Sequence, residues 1–263
     1  MAREQFSAQS TLRPGVARVD AKLFDFVFPA HSHEHVCIGV MRDGEKSSRY
    51  GLHRRTVCKD DVVLVNPGEV HDGRPSGRQG RHYTMLEIDI DAFGRLCRDT
   101  IGREAMEFAQ PVVRSPVAHG ALTRWLASLC DRDMGREVEA AALFLGLITD
   151  SPRHNRRVSN ELATRLNCRL RDGAAGHDQL GDLAAELGAS RYQLIRAFKQ
   201  TFGLTPENFR RQLRVERARA LLIGDSRLAD IAANAGFADQ SHMTREFRRL
   251  VGLTPAAYRQ ALC

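Results

Sequence analysis

GLTPENFRRQL, residues 203–213, and GLTPAAYRQAL, residues 252–262, open on the same four letters 49 positions apart. Each carries an aromatic residue at the same offset, Phe209 or Tyr258, followed by Arg. Working outward, DLAAELG (182–188) aligns with DIAANAG (230–236). Phe198-Lys199 aligns with Phe247-Arg248, with one extra residue in the second turn. Two copies are too few for a solenoid, which needs about three or more. The tail holds a duplicated motif.

Both copies follow one physical plan. Leu180, Leu183, Ala184 and Leu187 fall at i, i+3, i+4, i+7, and so do Leu228, Ile231, Ala232 and Ala235; each set makes one buried stripe on a short helix. Gly188 and Gly236 stand where that helix must end and turn. Ser190 and Asp239 are placed to cap the next helix, in which Leu194 and Phe198, or Met243 and Phe247, face inward. This is helix–turn–helix logic, with the second helix free to enter a DNA major groove. Its outward residues are Arg191, Tyr192, Gln193, Ile195, Arg196 and Lys199 in the first copy. In the second they are Gln240, Ser241, His242, Thr244, Arg245 and Arg248. Arg reads guanine in bidentate fashion, Gln reads adenine, and Lys or Arg at helix ends holds phosphate. GLTP closes each unit: Gly203 and Gly252 end the reading helix, Thr205 and Thr254 cap the next, and Pro206 and Pro255 take its first position. A long helix from Pro206 to about Leu222 joins the copies. Rigid spacing lets the reading helices meet successive major grooves about 34 Å apart.

Charge supports a polyanion partner for the tail. Residues 1–150 carry 20 Lys+Arg against 21 Asp+Glu, and residues 151–263 carry 19 against 11, so the net +7 comes from the tail. A merely solvated basic face is the alternative on charge alone, but the caps, turn glycines and outward Arg/Gln pattern argue against it. No run of 18 apolar residues exists, so no membrane span is expected. MAREQFSAQS has no apolar core of a signal peptide. Six scattered cysteines without a CxxC pair fit a reducing cytoplasm.

The front half reads as strands. LFDFVF (23–28), HVCIGVMR (35–42), VVLVN (62–66) and YTMLEIDI (83–90) are separated by turns at Asp43-Gly44, Asn66-Pro67-Gly68 and Arg74–Gly77. This spacing suggests an antiparallel sandwich or barrel. Segments near 91–109, 117–131 and 136–149 read as helices that either cover the barrel or form a dimer seam. SPRHNRRVSN (151–160) has a linker composition.

HSHEH places His31, His33 and His35 at i, i+2, i+4, on one face of an extended strand opposite Val36, Ile38 and Val40. PGEVH brings Glu69 and His71. Three arrangements accommodate these histidines: a metal-free pocket for a small effector, a metal site, or packed or surface side chains without a ligand. Phe24, Phe26, Tyr50, Asn66, Met85 and Glu87 are further pocket candidates by strand placement. No Ser-His-Asp set, phosphate loop or carboxylate pair can be placed.

The tail resembles the DNA-binding domain of AraC-type transcription regulators over about 159–262, most densely in IAANAGFADQSHMTREFRRLVGLTPAAYR (231–259). The resemblance implies base reading by Tyr192, Ile195 and Arg196 in the first unit and by Gln240, Ser241, Thr244 and Arg245 in the second. It puts His242 at a position usually held by His or an aromatic. The front resembles the cupin-type sensor domain that often precedes such a tail, over about 15–90, through His-x-His and Pro-Gly-x-x-His. Where metal cupins place a Glu after the His pair, this chain has Cys37 and Gly39.

The expectation is an α+β chain. Residues 1–150 form a cupin-like antiparallel β-barrel with helices, for effector binding and dimerisation. Residues 151–158 form a linker, and 159–263 an all-α domain with two helix–turn–helix motifs. The expected function is a cytoplasmic, non-enzymatic, sequence-specific regulator that binds double-stranded DNA. Its small-molecule effector sits among His31, His33, His35, Glu69 and His71, with no metal or other cofactor. It forms a homodimer through 91–150 and contacts RNA polymerase. The rival is a metal-dependent cupin enzyme or metal sensor fused to a DNA-binding tail.

Overall fold

The structure, a computed structural model, describes residues 4–262 apart from 12, 51–52, 78–79, 105, 130–133, 150–159 and 174–178. The linker expected at 151–158 lies outside the described residues. The chain divides into two compact units. The first comprises 1–27, 33–69 and 73–155, and the second comprises 28–32, 70–72 and 156–263.

The strands are β1 (Gln5–Ser10), β2 (Val16–Leu23), β3 (Phe28–His31), β4 (Val36–Tyr50), β5 (His53–Cys58), β6 (Val62–Val65), β7 (His71–Pro75), β8 (Arg81–Ile88) and β9 (Val112–Val113). The sheet runs β1-β2-β8-β4-β6-β9, with β5 on β4 and β3 on β7. Among the described residues this path does not close, so the expected barrel is an open antiparallel sheet. β9 adds only two residues at the far edge, too short a ladder to carry the sheet round to β1. The α+β class stands.

Two local readings change. LFDFVF is not one strand: β2 ends at Leu23 and β3 begins at Phe28. The backbone N–H groups of Phe24, Asp25 and Phe26 all donate to the Glu4 carboxylate at 2.8–2.9 Å. Those bonds satisfy the backbone without a ladder, and the deciding residue lies some 20 positions away. Asp43-Gly44 is not a turn either. β4 continues through it to Tyr50, with a register irregularity between Met41 and Asp43; such a bulge bends a strand without ending it.

The helices of the first unit are α1 (Ile90–Ile101), α2 (Pro116–Ser128) and α3 (Met134–Thr149). The helix expected over 91–109 stops at Gly102, in the left-handed conformation at φ 68°. The three helices cover one sheet face. Val36, Ile38, Val40, Leu64, Leu86 and Ile88 meet Phe93, Leu96, Leu122, Trp125, Phe144 and Leu145 in one buried cluster. Trp125 and Phe144 pack with centroids 5.8 Å apart. Covering the sheet is therefore one role of these helices. Leu143 and Leu147, one turn apart on α3, stay exposed.

The second unit contains α4 (Glu161–Asp172), α5 (Leu180–Glu186), α6 (Arg191–Phe202), α7 (Pro206–Leu221), α8 (Leu228–Asn234), α9 (Gln240–Val251) and α10 (Pro255–Leu262). Two separate cores form, one for each copy of the motif. Leu166, Leu183, Leu194, Phe198, Leu204 and Phe209 make the first, which also takes in Val70. Val215, Ile231, Ala232, Met243, Phe247 and Tyr258 make the second. α7 contributes to both, so the joining helix is also the shared wall. Among the described residues no helix is long and apolar enough to cross a membrane.

Candidate nucleic-acid interface and ligand sites

The turn that aims each reading helix is built identically. After α5, Gly188 (φ 64°) donates to Ala185 O at 3.2 Å and Ala189 N donates to Ala184 O at 2.9 Å. After α8, Gly236 (φ 83°) donates to Ala233 O and Phe237 N to Ala232 O, at 3.0 and 2.9 Å. This is the paired-bond termination in which the left-handed residue is nearly always Gly. Ser190 then caps α6 by accepting from Gln193 N, and Asp239 caps α9 by accepting from His242 N at 2.7 Å. The GLTP copies behave as expected. Gly203 and Gly252 donate to Lys199 O and Arg248 O, and Thr205 and Thr254 accept from Asn208 N and Ala257 N.

These restraints present α6 and α9 with their inner faces sealed. Leu194, Phe198, Met243 and Phe247 are fully buried. Arg191, Tyr192, Gln193, Arg196 and Lys199 are exposed on α6, and Gln240, Ser241, Arg245 and Arg248 on α9. Tyr192 is 70% exposed, a large aromatic left in solvent. Among the described residues, no ion pair involves Arg191, Arg196, Lys199, Arg245 or Arg248. Elsewhere acids partner the cations, as in Arg169–Glu186 at 2.8 Å, Arg211–Glu246 at 3.5 Å and Arg227–Asp230 at 3.0 Å.

Three candidate readers carry structural duties as well. Gln193 commits its side-chain oxygen to Ser190 N at 2.8 Å, completing a capping box. His242 is half-buried, edge-on to Phe237 at 5.4 Å. The Thr244 hydroxyl donates to Gln240 O at 2.8 Å, which leaves its oxygen as an acceptor. Ile195 is half-buried.

In the first unit, β4 pairs with β8 so that Cys37 faces Glu87, Gly39 faces Met85 and Met41 faces Tyr83. Alternation puts these six on the sheet face opposite the helices. His33 and His35 precede them and are buried, stacked with ring centroids 4.0 Å apart and planes 10° apart. His33 Nδ1 donates to His35 O at 2.9 Å, since a carbonyl only accepts, and His33 Nε2 lies 3.5 Å from Cys37 Sγ. His35 Nε2 is 3.7 Å from Glu87 Oε2. Burial pushes the Tyr83 phenol well above its ordinary range, with Glu87 and Cys37 adding to the effect against Arg81. Glu69 accepts from Asn66 N and Nδ2 at 3.2 Å, which ties it into the 66–69 turn. In the second unit His31 and His71 pair with ring centroids 4.3 Å apart.

The first unit also holds a cleft of about 460 Å³, a size that suits a small organic ligand. Val36, Phe93, Met106 and Ile90 supply apolar wall; Arg95, Arg98, Asp91 and Glu104 supply charge. None of these residues is a candidate from the sequence, because no motif or spacing marks them. Cys37 is marked by the sequence only as standing where metal cupins place a Glu; its i, i+2 spacing from His35 is the signal that could have added it to the histidines.

A family model described as an AraC-like ligand binding domain matches residues 13–148, half of the chain. The chain belongs to the AraC family of transcription regulators. A second model, a helix-turn-helix domain, matches residues 183–261, so both halves of the AraC plan are present. The chain is 28% identical over 227 residues to YbfI, an HTH-type transcriptional regulator of Bacillus subtilis, covering 82% of this chain and 81% of that one. It is 32% identical over 203 residues to the transcriptional activator NphR of a Rhodococcus species, covering 76% of this chain and 56% of NphR. Among solved structures, unsaturated fatty acid-bound ToxT from Vibrio cholerae aligns over 98% of this chain and 95% of its own, with TM-score 0.58 at 14% identity. That likeness is one of fold. The AraC chain is thus a DNA-binding transcription regulator with an N-terminal ligand-binding domain.

Proposed function

We propose that this regulator reads two short boxes of one duplex, with α6 on one and α9 on the other, and that a small-molecule effector in the first unit sets how it does so. The observation that carries the reading is the duplication itself. Two helices, each aimed by a left-handed glycine turn and an N-cap, expose unpaired arginines at matching places, Arg196 and Arg245. Arg196 and Arg245 read bases, helped by Gln240 and Ser241. Arg191, Lys199 and Arg248 hold phosphates, and Tyr192 and Ile195 offer apolar contact to thymine methyls.

The effector occupies the cleft beside α1, where Arg95 and Arg98 suit an anionic group and Phe93 and Met106 an apolar one. It acts by binding one arrangement of the protein better than another. The regulator works in the cytoplasm as a homodimer through the 91–150 region, supported by exposed Leu143 and Leu147 on α3, and contacts RNA polymerase from the bound operator. It catalyses no reaction; its curated relatives are regulators. Footprinting on a bound operator tests the reading. Two protected patches about one helical turn apart on one duplex face are expected. A single patch, or uniform protection, would overturn it.

A further inference from the structure

We propose that His33, His35 and Cys37, completed by Glu87 across the β4–β8 pair, form a binding site for a borderline-soft divalent cation of the zinc class. The ligand atoms of His33, His35 and Cys37 all lie within 4.8 Å of one another, and all three residues are buried. Two imidazoles, a thiolate and a carboxylate are a donor set that suits such an ion.

Two of the donor spacings lie close to those of a tetrahedron. With metal–sulfur near 2.3 Å and metal–nitrogen near 2.0–2.1 Å, tetrahedral angles separate sulfur and nitrogen by about 3.6 Å and nitrogen and oxygen by about 3.4 Å. Cys37 Sγ and His33 Nε2 are 3.5 Å apart, and His35 Nε2 and Glu87 Oε2 are 3.7 Å apart. The supporting bond is also in place. His33 Nδ1–H donates to His35 O, which fixes the tautomer and points the Nε2 lone pair toward Cys37. Without an ion, the Cys37 thiol donates weakly to that nitrogen. On binding, the metal–sulfur bond forms and the thiol proton leaves to solvent. Two adjustments are required: the His33 and His35 planes are 10° apart, so one ring tilts to bring both lone pairs onto the ion, and the Glu87 carboxylate, 3.7 Å from His35 Nε2, turns in to reach it. The imidazole χ2 torsion is broad enough for this. Four protein donors close the coordination shell, which describes a structural or regulatory ion rather than a hydrolytic one.

The site shares no residue with the α1 cleft or with the reading helices, so its test does not depend on DNA. Untagged full-length protein is stripped with a chelator and titrated with Co²⁺, then Zn²⁺; operator affinity is measured on the same samples. The expected result is one cobalt per chain, a sulfur-to-cobalt charge-transfer band in the near ultraviolet, and displacement by zinc. Cys37→Ser abolishes the band, Glu87→Gln weakens binding on the order of 10-fold, and Cys58→Ser and Cys168→Ser keep the band. X-ray absorption of the wild-type zinc form guards against a misfolded variant: one sulfur at about 2.3 Å and three lighter donors are expected. No stoichiometric cobalt, a band that survives Cys37→Ser, or a zinc shell without sulfur overturns the proposal. Intact operator binding in those samples shows that the regulator reading stands regardless.

Discussion

Gly188→Ala isolates the backbone geometry that aims the first reading helix. The residue sits at φ 64°, and a Cβ built there meets no heavy atom within 4 Å, so sterics beyond the backbone add nothing. Holding an L-residue in the left-handed region costs about 1–2 kcal/mol. The stiffer unfolded chain returns about 0.4–1 kcal/mol. The net loss is therefore about 1 kcal/mol. At a urea slope of about 2 kcal/mol/M, that lowers the midpoint of the transition reporting the second unit by on the order of 0.5 M. Gly188→Asn separates this cause from lost packing, because Asn tolerates the left-handed region. The assay is urea unfolding of the full chain followed by circular dichroism. The expected order is wild type, then Asn, then Ala. Ala equal to wild type, or Asn worse than Ala, would refute the argument.

Leu143→Asp with Leu147→Asp places two carboxylates on the exposed stripe of α3; sedimentation should show a dimer become a monomer, and a wild type whose mass is independent of concentration would remove the dimer. Lys199→Ala and Arg248→Ala should each reduce the slope of log affinity against log salt by about 1 and leave the preferred sequence unchanged; a changed preference would make them base readers. Burial pushes the Cys97 thiol up to about 11, so exposed Cys168 should alkylate at pH 8 while Cys97 resists until unfolding. Because folding raises that value, the contribution of Cys97 to stability is full below about pH 8.5 and lost toward pH 11; labelling of Cys97 as fast as Cys168 in the native chain would contradict this.

The tail was legible because its decisive chemistry is local. Gly188, Ser190, Gly203 and Thr205 each act within a few residues of themselves, and the second copy repeats the evidence. The sheet was less legible because pairing is not local. β4 runs through Asp43-Gly44 since β8 lies alongside it as far as Gly44–Arg81, and a turn dipeptide does not reveal that. LFDFVF looked like a strand because the carboxylate that folds it away comes from Glu4. The sequence set His31, His33 and His35 on one face of a single strand, but β3 ends at His31 and β4 begins at Val36, so His33 and His35 meet in the segment between the two strands. Glu87 joined them only through the register of β4 on β8. The double duties of Gln193 and His242 were hidden too, since a capping box and an edge-on ring contact look like outward positions in a helical projection.

The most direct measurement is selection of bound sites from a random DNA pool, with wild type, Arg196→Ala and Arg245→Ala in parallel. The account expects wild type to enrich two short boxes about one helical turn apart. Each variant should relax one box and leave the other, at about 1–3 kcal/mol per lost base contact. Enrichment of no sequence at low salt, or loss of the same box in both variants, would contradict a protein with two independent reading helices.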